Sequence, residues 1–350
     1  MQLVHGGDWA GFETEYGRSP LDFSANVSPL GVPQGVQDAV KAAVAAADRY
    51  PDPLCRKLAG HIAEAGNLPQ EWILCGNGAA DLIWRLAAAL RPQKALLPAP
   101  AFSEYEAALR SVNCRIRRHF LLPEKDFTVE DSFAEAITEQ TGMVFLCEPN
   151  NPTGRTTPMP VLEHIMTRCA AVGAILVVDE CFGDFLDEPD THTLVPWLKK
   201  YPNLVILKAF TKLYAMAGIR LGYALCSDVE LLGRLRMAGP PWAVSTLAQA
   251  AGCAALREQP YVQSVRALIR TQRPFLQREL RRLGLRVVAG EANYLLFRCR
   301  TPLIQPLRER GILLRSCENY PGLDDTWYRT AVRTEEENRR LLAALKEILS

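Results

Sequence analysis

Residues 208–223 read KAFTKLYAMAGIRLGY, from Lys208 to Tyr223. The apolar run Leu204–Leu207 leads into this stretch and has the character of a buried strand. Lys212 then stands just past a strand end, where open α/β sheets gather their ligands. Arg220 follows eight positions on. A lysine that has lost its proton can condense with a carbonyl, and an arginine can grip a phosphate with two N–H groups. The pair therefore suits a phosphorylated carbonyl compound. Read alone, the same residues also suit a solvated turn, so the surrounding chain has to decide.

Upstream, strands and helices alternate. Strands are expected at Ile73–Leu74, Lys94–Leu97, Cys114–Phe120, Met143–Cys147 and Ile175–Asp179. Helices are expected at Gln34–Ala47, Cys55–Ala65, Ala79–Leu90, Ser103–Ser111, Val129–Glu139 and Met159–Val172. Such alternation predicts an α/β fold with a mostly parallel sheet between helices. Residues 1–20 read as an irregular arm, and Leu21–Ala25 as a short strand. Downstream, one long helical stretch runs from Thr246 to Leu283, with Pro274 expected to kink or interrupt it. Strands at Arg286–Val288, Tyr294–Cys299 and Tyr328–Val332, with helices Leu303–Arg310 and Glu335–Leu349, form an α+β pattern. A large domain over 46–250 and a smaller one made of 1–45 and 251–350 are expected.

The 350 residues are ample for two domains. A net charge of +1 argues against a nucleic-acid or membrane partner. No apolar run is long enough to span a membrane, and the N-terminus lacks the pattern of a signal peptide, so a cytoplasmic protein is expected. Ten cysteines occur without a CxxC pair, which favours reduced, buried thiols over a metal site.

Several motifs stand around the lysine stretch. Asp179-Glu180 closes a hydrophobic strand, 33 positions before Lys212. Asn150-Asn151-Pro152-Thr153-Gly154 is a turn by its chemistry and follows another strand. Gly76-Asn77-Gly78 opens a helix whose free N–H groups favour a phosphate. Tyr328–Arg333 is a strand in which Arg329 and Arg333 have the same parity and are expected on one side.

Taken in this order, these motifs resemble the fold-type I pyridoxal-phosphate enzymes, the aspartate-aminotransferase superfamily, over nearly the whole chain. The resemblance implies the pyridoxal-phosphate-dependent transferase fold and pyridoxal 5'-phosphate as cofactor. Lys212 would carry the Schiff base, Asp179 would face the ring nitrogen, and Asn151 would donate to the ring hydroxyl. Gly78, Ala79, Ala80, Thr211 and Arg220 would hold the cofactor phosphate, with Ala209 lacking the hydroxyl usual at its position. Phe102 would stack on the ring, with Tyr105 as the other aromatic at hand. Tyr50, in Arg49-Tyr50-Pro51, would reach the cofactor of a neighbouring subunit, which implies a homodimer with shared sites. Phe182 stands where transaminases often carry a tyrosine. Arg329 would clamp a substrate carboxylate.

Two subgroups compete. His5-Gly6-Gly7, DFSANVSPLG at 22–31 and RSCENYPGL at 315–323 look more like L-threonine-O-3-phosphate decarboxylase. Arg-Tyr-Pro, the lysine motif and the terminal arginine are shared with histidinol-phosphate aminotransferase. The resemblance therefore implies decarboxylation of a small phosphorylated hydroxy-amino acid, with transamination as the alternative. Arg315, Arg333, Arg18, His5 and Asn26 are the candidates for the substrate side.

Overall fold

The computed structural model describes residues 5–350. The first element is α1 (Trp9–Tyr16), where an irregular arm was expected. Asp8 caps it by accepting the Gly11 N–H, and Gly17 ends it at φ 64°. Phe12 is buried and stacks on Tyr16, which gives so short a helix a reason to form. Strand β1 (Leu21–Asp22), α2 (Gln34–Ala43) and α3 (Arg56–Gly66) follow.

The centre of the molecule is a seven-stranded sheet. In chain order its strands are β2 (Ile73–Gly76), β3 (Lys94–Ala99), β4 (Arg115–Phe120), β5 (Met143–Cys147), β6 (Ile175–Asp179), β7 (Leu204–Ala209) and β8 (Gly222–Leu225). In space they run β2-β8-β7-β6-β5-β3-β4, and β8 alone is antiparallel to its neighbours. The connecting helices are α4 (Gly78–Leu90), α5 (Ser103–Ser111), α6 (Asp131–Glu135), α7 (Met159–Val172), α8 (Pro189–His192) and α9 (Phe210–Leu213). The inner strands β5 and β6 are covered on both faces and read as apolar runs rather than alternating, whereas β4 at the sheet edge, RIRRHF, is charged and part-exposed. Val144 and Leu146 of β5 enter the core on one face, and Met143 and Phe145 enter the core on the other.

After β8 come α10 (Val229–Met237), α11 (Thr246–Ala255) and α12 (Gln259–Arg282). The single long helix expected here is two, and the break falls at Glu258 rather than at Pro274. Pro260 sits in the first turn of α12, where its missing N–H costs nothing, and Gln259 before it is biased away from helix. Pro274 stays inside α12 because Val265, Ile269, Leu276 and Leu280 bury that helix along its length. The chain ends with β9 (Arg286–Val287), β10 (Tyr294–Arg298), α13 (Ile304–Glu309), β11 (Ile312–Leu313), β12 (Arg315–Ser316), β13 (Trp327–Ala331) and α14 (Glu335–Leu349). Strands β12-β13-β10-β9 form an antiparallel sheet, and β1 pairs in parallel with β11. That pairing ties the N-terminal segment to the C-terminal layer, while α2 packs along α11. Among the described residues, no helix is long and apolar enough to cross a membrane.

The carboxyl ends of β2, β5, β6 and β7 converge on one edge, and β8 brings Gly222 to the same edge against Gly76 and Ala209. A methyl group on Gly222 would lie 2.7 Å from the Ala79 nitrogen and 2.9 Å from the Lys208 oxygen. Both are backbone atoms that cannot step aside. Gly222→Ala is therefore expected to destabilise the protein by about 1–3 kcal/mol, as overpacking does. Chemical denaturation of both proteins checks this, and equal midpoints would show that the edge can relax.

Candidate active site

Asp179 is the last residue of β6 and is 5% exposed. Its Oδ1 accepts the Cys181 N–H at 3.0 Å, and its Oδ2 accepts the Tyr105 hydroxyl at 2.7 Å. Tyr105 is fully buried, and that burial, with the Asp179 charge behind it, keeps the phenol protonated and donating. Tyr105 thus orients the carboxylate from below, and its ring stacks on Phe145. Glu180, next in sequence, turns the other way. It pairs with Lys208 at 3.3 Å and accepts from Thr193 and the Leu194 N–H.

Lys212 lies in the short α9 that follows β7, half-buried. Its carbonyl accepts the Ser28 N–H at 2.9 Å, which ties the N-terminal segment to the lysine loop. The ammonium sits 5.7 Å over the Phe182 ring. Desolvation, helped by the Arg329 and Arg220 charges, lowers its pKa to about 8, against the pull of Cys181 and Asp179. Loss of the proton makes this amine a nucleophile.

On one side of Lys212 is the start of α4. Gly78 has φ +80°, and a Cβ there would lie 2.8 Å from Arg220 Nη2. Glycine is thus required twice, for the turn and for the arginine's approach. Ala79, Ala80, Thr211 and Arg220 share one cavity of about 140 Å³ with Phe102, Asn151, Asp179, Phe182, Ala209 and Lys212. Free N–H groups of the helix start, a hydroxyl and a guanidinium in one place make an anion site.

On the other side, Arg329 of β13 is buried. It donates to Asn151 Oδ1 and, at 2.9 Å, to the Ser24 carbonyl, and it lies 5.6 Å over the Tyr294 ring. With Oδ1 taken by Arg329, the Asn151 side chain keeps its NH2 group for a ligand. Phe102 lines the cavity, with its ring at right angles to Tyr105.

Further out, Arg315 of β12 pairs in register with Arg329 of β13, donates to Asn319 at 2.7 Å, and lies 5.5 Å over the Tyr320 ring. Asn26 is 2% exposed, and neither end of its side-chain amide has a partner among the described residues. It sits between Ser24, which holds Arg329, and Ser28, which holds the Lys212 carbonyl. His5 contacts Glu104 at 2.9 Å and the Phe102 ring at 5.8 Å. Arg333 is not brought in. The strand stops at Ala331, so same-side parity ends there, and Arg333 bonds Glu337 and the Asp22 carbonyl instead. Arg18 is exposed and donates to the Glu309 carbonyl. Tyr50 is 80% exposed, stacked 4.5 Å from Trp242, and is absent from the residues around Lys212. Tyr105 in its supporting role is the feature that residue patterns miss, because a buried tyrosine on a helix looks like any core aromatic.

A sheet-edge lysine with a lowered pKa, a buried acid and a helix-start anion site define a pyridoxal-phosphate enzyme of fold-type I. The aminotransferase class I and II family matches residues 19–345, and the chain belongs to that family. Threonine-phosphate decarboxylase of Salmonella typhimurium is 39% identical, with 99% of this chain and 97% of that protein covered. Histidinol-phosphate aminotransferase of Symbiobacterium thermophilum is 37% identical over 94% and 90% of the two chains. The solved histidinol-phosphate aminotransferase of Sinorhizobium meliloti, in complex with pyridoxal-5'-phosphate, superposes with a TM-score of 0.87 at 21% identity, over 100% of this chain and 95% of that one. The cofactor is pyridoxal 5'-phosphate, and the residues present fit it. Gly78 leaves room where a side chain would block Arg220, and the acid, the lysine and the anion site line one cavity. When bound, the cofactor supplies the electron sink for a bond broken at the substrate α-carbon.

The lowered pKa has a consequence for the apoprotein. Between about 8 and the ordinary value of 10.5, the unfolded chain holds the Lys212 proton and the folded chain does not. Stability contributed by this group therefore rises with pH across that window. Lys212→Met removes the cost of the buried charge. The variant apoprotein is expected to melt above wild type below pH 8, with the gap closing towards pH 10.5. Calorimetry at both ends of the window checks this, and a gap that widens with pH would contradict it.

Proposed function

We propose that the protein decarboxylates a phosphorylated hydroxy-amino acid, O-phospho-L-threonine first and O-phospho-L-serine second, as in cobalamin biosynthesis. The observation that carries this reading is the pair Arg315–Arg329, side by side on neighbouring strands, with Arg329 held by an amide and a carbonyl. Arg329 suits the α-carboxylate. Arg315, with the Asn26 amide that has no partner among the described residues and with His5 near Phe102, suits a second anion at the other end of a short substrate. Lys212, once it has taken up the proton given off by the incoming substrate ammonium, or water would return a proton to the α-carbon after carbon dioxide leaves. Asp179 would hold the proton on the ring nitrogen, and Phe182 gives the ring hydroxyl no partner, which leaves that task to Asn151.

The likeness to threonine-phosphate decarboxylase over 99% of the chain supports the lyase. Transamination of histidinol phosphate is the second reading, favoured by the 37% identity to a histidinol-phosphate aminotransferase. The deciding assay incubates the protein with each phospho-amino acid, and with histidinol phosphate plus 2-oxoglutarate. Carbon dioxide without any keto acid is the expected result. Glutamate from histidinol phosphate, with no carbon dioxide from either phospho-amino acid, would leave the aminotransferase. Asp179→Asn should retain cofactor yet cut turnover by about two orders of magnitude or more. A near-normal rate would remove Asp179 from the role proposed for it.

The proposed assembly is a homodimer in which Tyr50 serves the partner's site, which accounts for an aromatic left 80% exposed. Mixing Tyr50→Phe with Lys212→Ala subunits checks it. A Tyr50 acting across subunits creates one intact site in each mixed dimer, whereas one acting within its own subunit gives only the average of the two parents.

A further inference from the structure

The anion site at the start of α4 contains a conflict. Asp81 lies in the first turn of that helix, beside the N–H groups that receive the cofactor phosphate. A carboxylate there competes for the same helix end and repels the phosphate. It also has a use. Asn77, at the cap position, makes no side-chain capping bond. Asp81 reaches back instead, and its Oδ2 accepts the Asn77 N–H at 2.9 Å, which fixes the turn leading into Gly78.

Arg85 resolves the conflict. Its Nε donates to Asp81 Oδ1 at 2.9 Å, and its Nη2 lies 2.9 Å from Oδ2. This ion pair, with one hydrogen bond and a second close N–O approach, sits one helical turn inside α4, with the Arg85 side chain 5% exposed. The guanidinium is held from outside as well. A Cβ on Gly239 would lie 2.2 Å from its central carbon, so the loop after α10 lies directly against it.

We propose that Arg85 is a positioning residue for the cofactor: it neutralises Asp81, so that Asp81 can shape the phosphate turn without repelling the phosphate. Neither residue touches the 140 Å³ cavity around Lys212. Their effect passes through the Asn77–Gly78 backbone and through charge.

Two substitutions and their combination test this by cofactor retention, read as loss of the visible absorbance when each holoenzyme is diluted. Arg85→Met leaves the carboxylate bare, and the cofactor should be released at about tenfold lower dilution or sooner. Asp81→Asn keeps an acceptor for the Asn77 N–H and removes the charge, so retention should stay within about threefold of wild type. Adding Asp81→Asn to Arg85→Met should restore most of what Arg85→Met loses, a non-additivity expected of directly coupled charges. A purely structural pair predicts the reverse, a double variant no better than Arg85→Met. That outcome, or an Arg85→Met protein that holds cofactor like wild type, overturns the proposal. Should Arg85→Met fail to fold, Arg85→Lys replaces it. A lysine keeps the charge but not the fork, so retention within about threefold of wild type supports the charge role. A tenfold loss with lysine overturns it. Absorbance reports cofactor binding alone, so the result is independent of which bond the enzyme breaks.

Discussion

Lys212, Arg220 and Arg329 meet in one crevice, and the hydrogen-bond partners of the two arginines there are neutral: carbonyls, an amide and a phenol. Concentrated positive charge of this kind is unfavourable until anions arrive. Its first effect falls on Lys212, where it adds to the larger effect of desolvation in making the proton easy to lose. Its second is selectivity for ligands that carry negative charge at fixed separations. In the proposed reading Arg220 would answer to a phosphate at the α4 start and Arg329 to a carboxylate, so that each anionic group of the ligand would meet a cation.

The two layers of the fold serve that charge pattern. The seven-stranded sheet delivers Asp179, the α4 start and the lysine loop to one edge. Arg329 comes from the other sheet, and Ser24 from the segment that β1 anchors to β11. The Ser24 carbonyl holds Arg329 and the Ser28 N–H holds the Lys212 carbonyl, four residues apart. A short piece of chain thereby links Arg329 to the Lys212 loop.

Much of this is legible in the sequence, for identifiable reasons. Parallel strands buried on both faces are short apolar runs, and the chemical residues sit in the turns just after them, where Gly, Pro and Asn mark the spot. Strand β8 is hidden because Gly222–Leu225 lies in the tail of the lysine motif, and α10 follows it directly. Asp228, which caps α10, and the leucines at 231, 232 and 235 were the available signal. Period two misled at Arg333, because parity holds only while the strand lasts. Tyr105 carries no local signal. Its hydroxyl meets Asp179 across 74 residues of sequence, a relation that only the folded chain creates.

The same geometry bears on how one site can host two reactions. Arg329 is held by Asn151, by the Ser24 carbonyl and over the Tyr294 ring, so its guanidinium has little freedom to follow a substrate. A carboxylate gripped there is fixed at one end. The remaining freedom is rotation about the bond that joins the substrate nitrogen to its α-carbon, and the second anchor sets that angle. The bond lying perpendicular to the cofactor ring is the one that breaks. Under the proposed reading, with Lys212, Asp179 and Arg329 common to both chemistries, a small shift of the distal anchor would exchange the carboxylate for the hydrogen in that position. The residues proposed to decide the reaction are therefore those at the distal end, Arg315, Asn26 and His5, rather than those that the two chemistries share.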